Sequence, residues 1–385
     1  MSKTGVTGYK IIDNGSQLAD LVDRLKNETA IGVDVEADSM YHFKEKVCLI
    51  QMATARINVV IDPLVIKDLS ALKPIFKSKK IQKIFHGADY DVRSLYRDFK
   101  ISINNLFDTE LASRFMGFSE TGLEAVLKKR FAISLDKKFQ RKDWSKRPLP
   151  REMIDYAAED ARHLLPLSRD LTAELKDKGR LAWVKEECEI LSNVRPSTNG
   201  NQPLYLNFKG AGKLDPRSLA VLEALLQNRR EIALKKDRPL FRIIGSRPLL
   251  DLAQSKPTNK KQLDKSGALS PKQIDMYGRQ LIEVINHAIK IPQKDLPVYP
   301  RRKAPRVPAA AAERVKSLRR WRDRQAQKLA MEPSLILTKS LISTLAVQKP
   351  ARMTDLSRIP EIKKWQIREF GRDILAALKP SKNYR

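Results

Sequence analysis

The segment Ile31-Gly-Val-Asp34-Val-Glu36-Ala-Asp38 constrains this chain most, because it alternates apolar residues and carboxylates with the period of a β-strand. Side chains alternate across a strand, so Val33 and Val35 face a core while Asp34 and Glu36 share the opposite face. Two neighbouring carboxylates on so apolar a strand repel each other and resist ionisation unless a cation joins them. A hard divalent ion held by oxygen ligands resolves the conflict. A solvated edge strand with incidental acids is the alternative that this segment alone leaves open.

Two further segments add acids. Ile81-Gln-Lys-Ile-Phe-His86-Gly-Ala-Asp-Tyr-Asp91 reads as a strand, a turn and the start of a helix whose buried stripe is Val92, Leu95, Tyr96 and Phe99. Asp91 falls at or near that helix's N-terminus, where an N-cap is the competing reading. His86 before Gly87 reads as a hydrogen-bonded structural histidine. Asp155-Tyr156-Ala-Ala-Glu-Asp160 lies in a helix with Ile154, Ala157, Ala161 and Leu164 as its apolar stripe. Tyr156 and Asp160 are spaced i,i+4 and share a face. Alone, they could be a surface pair. The small Ala157 and Ala158 permit close approach to a neighbouring element.

Around these segments, residues 1–190 alternate strands with amphipathic helices. Strands are expected at Ile31–Glu36, Val47–Met52, Asn58–Ile61 and Ile81–Phe85, with helices at Gln17–Lys26 and about Asp91–Phe99. This predicts an α/β domain, a mixed sheet flanked by helices. Beyond the polar stretch Asn193–Gly212 the chain reads as wholly helical, and it repeats: Leu252-Ala253-Gln-Ser-Lys256-Pro257 returns 93 residues later as Leu345-Ala346-Val-Gln-Lys349-Pro350. The expected organisation is a first domain over 1–200 and helical domains over 209–292 and 309–382, with linkers at 193–210 and 291–308.

Charge divides along the same line. Of the net +29, residues 1–200 supply only +5, and residues 201–385, with 40 Lys+Arg against 16 Asp+Glu, supply +24. The basic half is therefore expected to dock a polyanion and the acidic motifs to carry the chemistry. The first 205 or so residues should then cut short substrates by themselves. Other chemistries lack their signatures: there is no GxxxxGK[ST], HExxH or GxSxG, and only four histidines, His42, His86, His163 and His287. Cys48 and Cys188 form no CxxC pair, which fits a reducing compartment. The N-terminus has no apolar signal core and no later run is long enough to span a bilayer, so a cytoplasmic protein without membrane partners is expected.

Taken in order, GVDVEAD, KIFHGADYDVRSLYRDF and YAAED resemble the three motifs of the DEDD exonuclease superfamily in its tyrosine-bearing subgroup. EKVCLIQMAT, NLFDTELASRFMG and DWSKRPLPREMIDYAAEDARHLLPL look like ribonuclease D and its eukaryotic nuclear exosome relatives. Residues 212–290, with AVLEALLQNRREIALKKDRPLFRIIGS, are similar to the helicase-and-RNase-D C-terminal (HRDC) domain, and 313–380 resemble a diverged second copy. The resemblance implies a ribonuclease H-like fold and two divalent ions, Mg2+ or Mn2+, held by Asp34, Glu36, Asp91 and Asp160. It implies Tyr156 as the residue that orients the attacking water, and Trp144 and Arg147 as substrate contacts. The implied activity is ATP-independent 3′→5′ exoribonuclease action by a monomer on tRNA precursors and other structured RNA, releasing nucleoside 5′-monophosphates. A DNA exonuclease would use the same acids; the ribonuclease D-like connecting segments and tandem basic modules favour RNA.

Overall fold

The computed structural model describes residues 8–196, 202–300 and 309–379. They form two compact units: 8–37, 47–196 and 309–379 make one, and 38–46 with 202–300 make the other.

In the first unit, strands β1 (Lys10–Ile12), β2 (Ala30–Ala37), β3 (Val47–Ala53), β4 (Asn58–Ile61), β5 (Gln82–Phe85) and β6 (Leu106–Asp108) make a mixed sheet ordered β1-β4-β3-β2-β5-β6. β2, β3 and β4 are the antiparallel meander expected from their spacing, while β5 and β6 add in parallel. Helices α1 (Gly15–Leu25), α2 (Pro63–Ile66), α3 (Lys73–Lys77), α4 (Asp89–Phe99), α5 (Thr109–Met116), α6 (Leu123–Phe131), α7 (Arg151–Arg162), α8 (Leu164–Asp177) and α9 (Leu181–Ser192) flank it. The central strands are apolar on both faces because helices cover both. The acids of β2 face α7, and Gly32 sets how close that helix lies: a Cβ there would stand 2.6 Å from the Ala161 carbonyl oxygen.

The all-helical part is a true repeat. In the second unit α10 (Pro216–Lys236), α11 (Leu240–Ile243), α12 (Ser246–Ser255), α13 (Lys260–Ser266) and α14 (Pro271–Ile289) follow one another. In the first unit α15 (Ala309–Leu329), α16 (Pro333–Ile336), α17 (Lys339–Gln348), α18 (Met353–Leu356) and α19 (Lys364–Leu378) begin at the same positions shifted by 93 residues. Left-handed backbone recurs at the same offset, at Asp237 and Ala330 and again at Lys256 and Lys349. The short sequence echo is the trace of a duplicated five-helix module.

The two copies are embedded differently. In the second unit, Asp237 at the end of α10 holds the 38–46 loop, accepting from the Phe43 amide (3.1 Å) and pairing with His42 Nδ1 (2.7 Å). The second copy instead shares one core with the catalytic sheet. Trp365 lies 4.9 Å from Trp183 in a stacked pair and meets Phe115 edge-on. Glu186 on α9 caps α19 from outside, accepting from the amides of Lys364 (2.6 Å) and Trp365 (3.0 Å), and Glu187 accepts from the Trp365 indole (2.9 Å). Arg180, buried, donates to the carbonyls of Phe115 and Leu329, both at 2.8 Å. A chain of about 205 residues would leave Trp183 and Phe115 without these partners, which weighs against the expectation that it suffices for the chemistry.

Of the expected linkers, 197–201 and 301–308 lie outside the described residues. The stretch 202–210 is packed rather than free: Tyr205 is buried in the core of the second unit, with Leu204, Leu206 and Phe208 against it. Tyr299, in the other stretch, packs there too and donates to the Leu206 carbonyl (3.0 Å).

Candidate active site

Three elements bring the acids together. β2 presents Asp34 and Glu36 on the face toward α7, and α7 presents Tyr156 and Asp160 one turn apart toward β2. Carboxylate oxygens of Asp34, Glu36 and Asp160 come within 4.8 Å of one another. Asp91 joins from the first turn of α4, where Ala88 takes the N-cap place, so Asp91 does not cap the helix. It is close enough that its charge acts directly on Asp34. Asp34, Glu36 and Asp160 line a cleft of about 470 Å3 that also includes His86, Glu110 and Tyr156.

Electrostatically the cluster is unsatisfied. Burial pushes the Asp34 carboxyl up to about 8, reinforced by the charge of Asp91. Asp91 and Asp160 are each pushed to about 8, again chiefly by burial and then by neighbouring carboxylates. Glu36 is driven well above the usual range by burial and by Asp34, Asp160 and Asp91. The Tyr156 hydroxyl is raised by burial and by the charges of Asp160, Glu36 and Asp34. Four largely enclosed acids, all offering hard oxygen donors and opposed only by a lesser contribution of His163 on Asp160, fit a divalent-cation site. The same face holds Gln51, which pairs across the sheet with Asp34, is fully buried, and has neither amide atom hydrogen-bonded.

Residues that sequence reasoning passed over fix the frame. Asp108 accepts from the amides of Gly87 (3.0 Å) and Ala88 (2.8 Å) and caps α5 through the amides of Glu110 (2.8 Å) and Leu111 (3.1 Å). It therefore locks the turn that delivers Asp91. Its signal was the Asp-Thr-Glu run in NLFDTELASRF, an N-cap followed by the start of a helix. His86 is structural as expected, its Nδ1 2.9 Å from Thr109 Oγ1.

Trp144 and Arg147 take other roles than the substrate contacts first expected. Trp144 is 1% exposed and lies against Tyr156, rings 28° apart at 6.1 Å. A buried indole cannot offer its face to a base; instead it wedges Tyr156 against Phe139 on the other side (5.8 Å). Arg147 spends its five N–H donors on the protein: a fork onto Asp62 (2.6 and 2.8 Å) and bonds to the carbonyls of Trp144, Lys146 and Cys48 (2.8, 2.7 and 2.9 Å). It ties the Trp144 loop to β3 and to the residue after β4, and leaves no donor for a phosphate.

Comparison with known proteins agrees with this architecture. Residues 9–176 match the 3′-5′ exonuclease family model, and residues 218–285 and 311–378 each match the HRDC domain. The chain is 30% identical over 372 residues to ribonuclease D of Acidiphilium cryptum, covering 95% of this chain and 92% of that protein. It is 28% identical to ribonuclease D of Pseudomonas paraeruginosa over 370 residues, 95% of this chain and 96% of that one. The fold matches the crystal structure of Escherichia coli RNase D, with TM-score 0.76 at 24% identity over 97% of this chain and 99% of that one. DEDD exonucleases depend on metal ions, HRDC modules with such a nuclease domain bind RNA, and no described helix is long and apolar enough to cross a membrane. The chain belongs to the ribonuclease D family of 3′→5′ exoribonucleases.

Proposed function

We propose that this protein trims structured RNA, tRNA precursors among it, from the 3′ end, one nucleoside 5′-monophosphate at a time. Asp34, Glu36, Asp91 and Asp160 would hold two divalent ions, Mg2+ or Mn2+. The observation that carries the reading is the convergence of three carboxylates within 4.8 Å on an apolar floor, with Asp91 beside them. Ions bound there polarise the scissile phosphate and lower the pKa of the attacking water. Tyr156, held protonated by its surroundings, orients that water through its hydroxyl. Wedged between Phe139 and Trp144, it needs little reorganisation to do so. Residues 1–200 carry the chemistry, while the modules at 209–292 and 309–382 grip the RNA body. The enzyme acts as a monomer, without ATP, in the cytoplasm; Cys48 and Cys188, both buried and in no disulfide, suit that compartment.

Tyr156→Phe should lower the single-turnover rate by roughly 10²-fold or more while leaving RNA affinity within a few-fold, because the hydroxyl acts mainly in the transition state. A loss confined to affinity would assign Tyr156 to substrate positioning instead.

Metal should also control stability in a pH-dependent way. In chelator, acids raised from about 4 toward about 8 cost stability progressively as pH climbs through that window, because the unfolded chain gives up its protons first. Bound cations remove that cost. Saturating Mn2+ should therefore raise Tm by about 5–10 °C at pH 8 and by much less at pH 5. Equal shifts at the two pH values, measured by calorimetry, would contradict this site.

A further inference from the structure

The duplicated module lets one copy serve as a control for the other. At the positions along α15 occupied by Lys316, Arg320, Arg324 and Lys328, the sister helix α10 carries Glu223, Gln227, Glu231 and Lys235. The first three of these positions are acidic or amide-bearing in the first copy and cationic in the second, and the fourth is lysine in both. The α10 face shows that this five-helix fold does not need cations at the first three.

The four cations are exposed and lie one turn apart, about 6 Å of helix axis each. The opposite face of α15 is committed to the core through Leu318 and Trp321. Lys316 is paired with Glu313 at 2.8 Å, and the charge of Glu313 also reaches Arg320, but Arg320, Arg324 and Lys328 make no ion pair within 4 Å among the described residues. Such a row of cations with little local compensation repels itself, an arrangement that a polyanion relieves.

The stripe also borders a route to the acids. Asp323 and Gln327, next to it on α15, and Ala330, just past the helix, form one wall of a groove of about 560 Å3 whose other wall includes Phe118, Ser119 and Thr121. The residues that follow Thr121, Gly122 and Leu123, already line the acid cleft. Groove and cleft meet at that loop.

We propose that the outer face of α15 is a phosphate track: it binds the RNA backbone upstream of the scissile bond and leads the strand over the Phe118–Gly122 loop into the cleft. The second HRDC copy then has two uses, a brace for the catalytic core on one side and a guide for RNA on the other. The proposal rests on the exoribonuclease reading above.

The test compares the full-length triple variant Arg320→Gln, Arg324→Gln, Lys328→Gln with a control losing equal charge on exposed positions of α8 and its end, Arg169→Gln, Lys176→Gln, Lys178→Gln. Both are measured in Ca2+ for affinity, across a salt series, on an RNA hairpin with a long 3′ single strand. Both are then assayed in Mg2+ on a trinucleotide too short to reach the track. The α15 variant should bind the hairpin at least 10-fold more weakly, with a log–log salt slope reduced by roughly 2 to 3, yet hydrolyse the trinucleotide at the wild-type rate. The control should change by much less in slope. Equal changes in the two variants, or an unchanged slope in the α15 variant, would overturn the track. Absence of trinucleotide hydrolysis by the wild-type protein would count against the exoribonuclease reading, while the binding arm would still decide the track.

Discussion

Asp34→Asn is expected to lower RNA hydrolysis by on the order of 10³-fold or more, and in chelator to make the folded protein more stable at pH 8 than the unaltered chain. The two effects have one cause. Asparagine keeps the volume of aspartate, so the packing of β2 against α7 survives, but it removes a buried negative charge from a cluster already pushed toward neutrality. Without metal that loss relieves repulsion and burial cost; with metal it deletes a ligand. Asp160→Asn should behave alike, more mildly in stability, because Asp160 is somewhat less buried. Activity and thermal unfolding, each measured with Mn2+ and with chelator, check the pair of signs. A variant that loses activity and also loses stability in chelator would indicate a structural rather than a ligand role.

Removing the second HRDC copy is expected to unfold the catalytic unit rather than merely weaken its grip on RNA. A chain ended at residue 300 leaves Trp183 and Phe115 without their aromatic partner, strands Glu186 and Glu187 without the groups they bond, and takes one of the two carbonyls that Arg180 holds. Trp365→Ala in the full chain should cost about 3–5 kcal/mol, as large core deletions do. Gly117→Ala attacks the same junction from the other side. Gly117 has φ +88, and a Cβ there would stand 1.9 Å from the Ala330 carbonyl oxygen, so backbone must move. Size-exclusion chromatography and thermal unfolding of the truncated chain decide the matter: aggregation or a large drop in Tm is expected. A monodisperse protein of unchanged Tm would show the catalytic unit to be autonomous.

How much of this was legible in the chain follows from which interactions are local. The alternation of Val33, Asp34, Val35 and Glu36 specifies both a strand and which side the acids take, because a side chain's face depends only on its place in the strand. The i,i+4 spacing of Tyr156 and Asp160 is equally local, and the three-motif order supplied the rest of the cluster. Strands β1 and β6 escaped because each is three residues long and gains its identity from its neighbour in the sheet. The fork of Arg147, expected by resemblance to touch substrate, is taken by Asp62, a partner distant in sequence that no local pattern announces. The fusion of the second module with the catalytic core rests on Trp183 meeting Trp365, two residues far apart in the sequence that no local pattern links.

The central claim, a metal-dependent 3′→5′ exoribonuclease built on Asp34, Glu36, Asp91 and Asp160, is tested most directly by digesting 5′-labelled RNA and matched DNA in Mg2+, in Mn2+ and in chelator. The expected result is a ladder of RNA products shortened from the 3′ end one nucleotide at a time, nucleoside 5′-monophosphates in solution, little digestion of DNA, and no reaction in chelator or with Asp34→Asn. Internal cleavage of RNA, equal or faster digestion of DNA, or undiminished hydrolysis in chelator would contradict it.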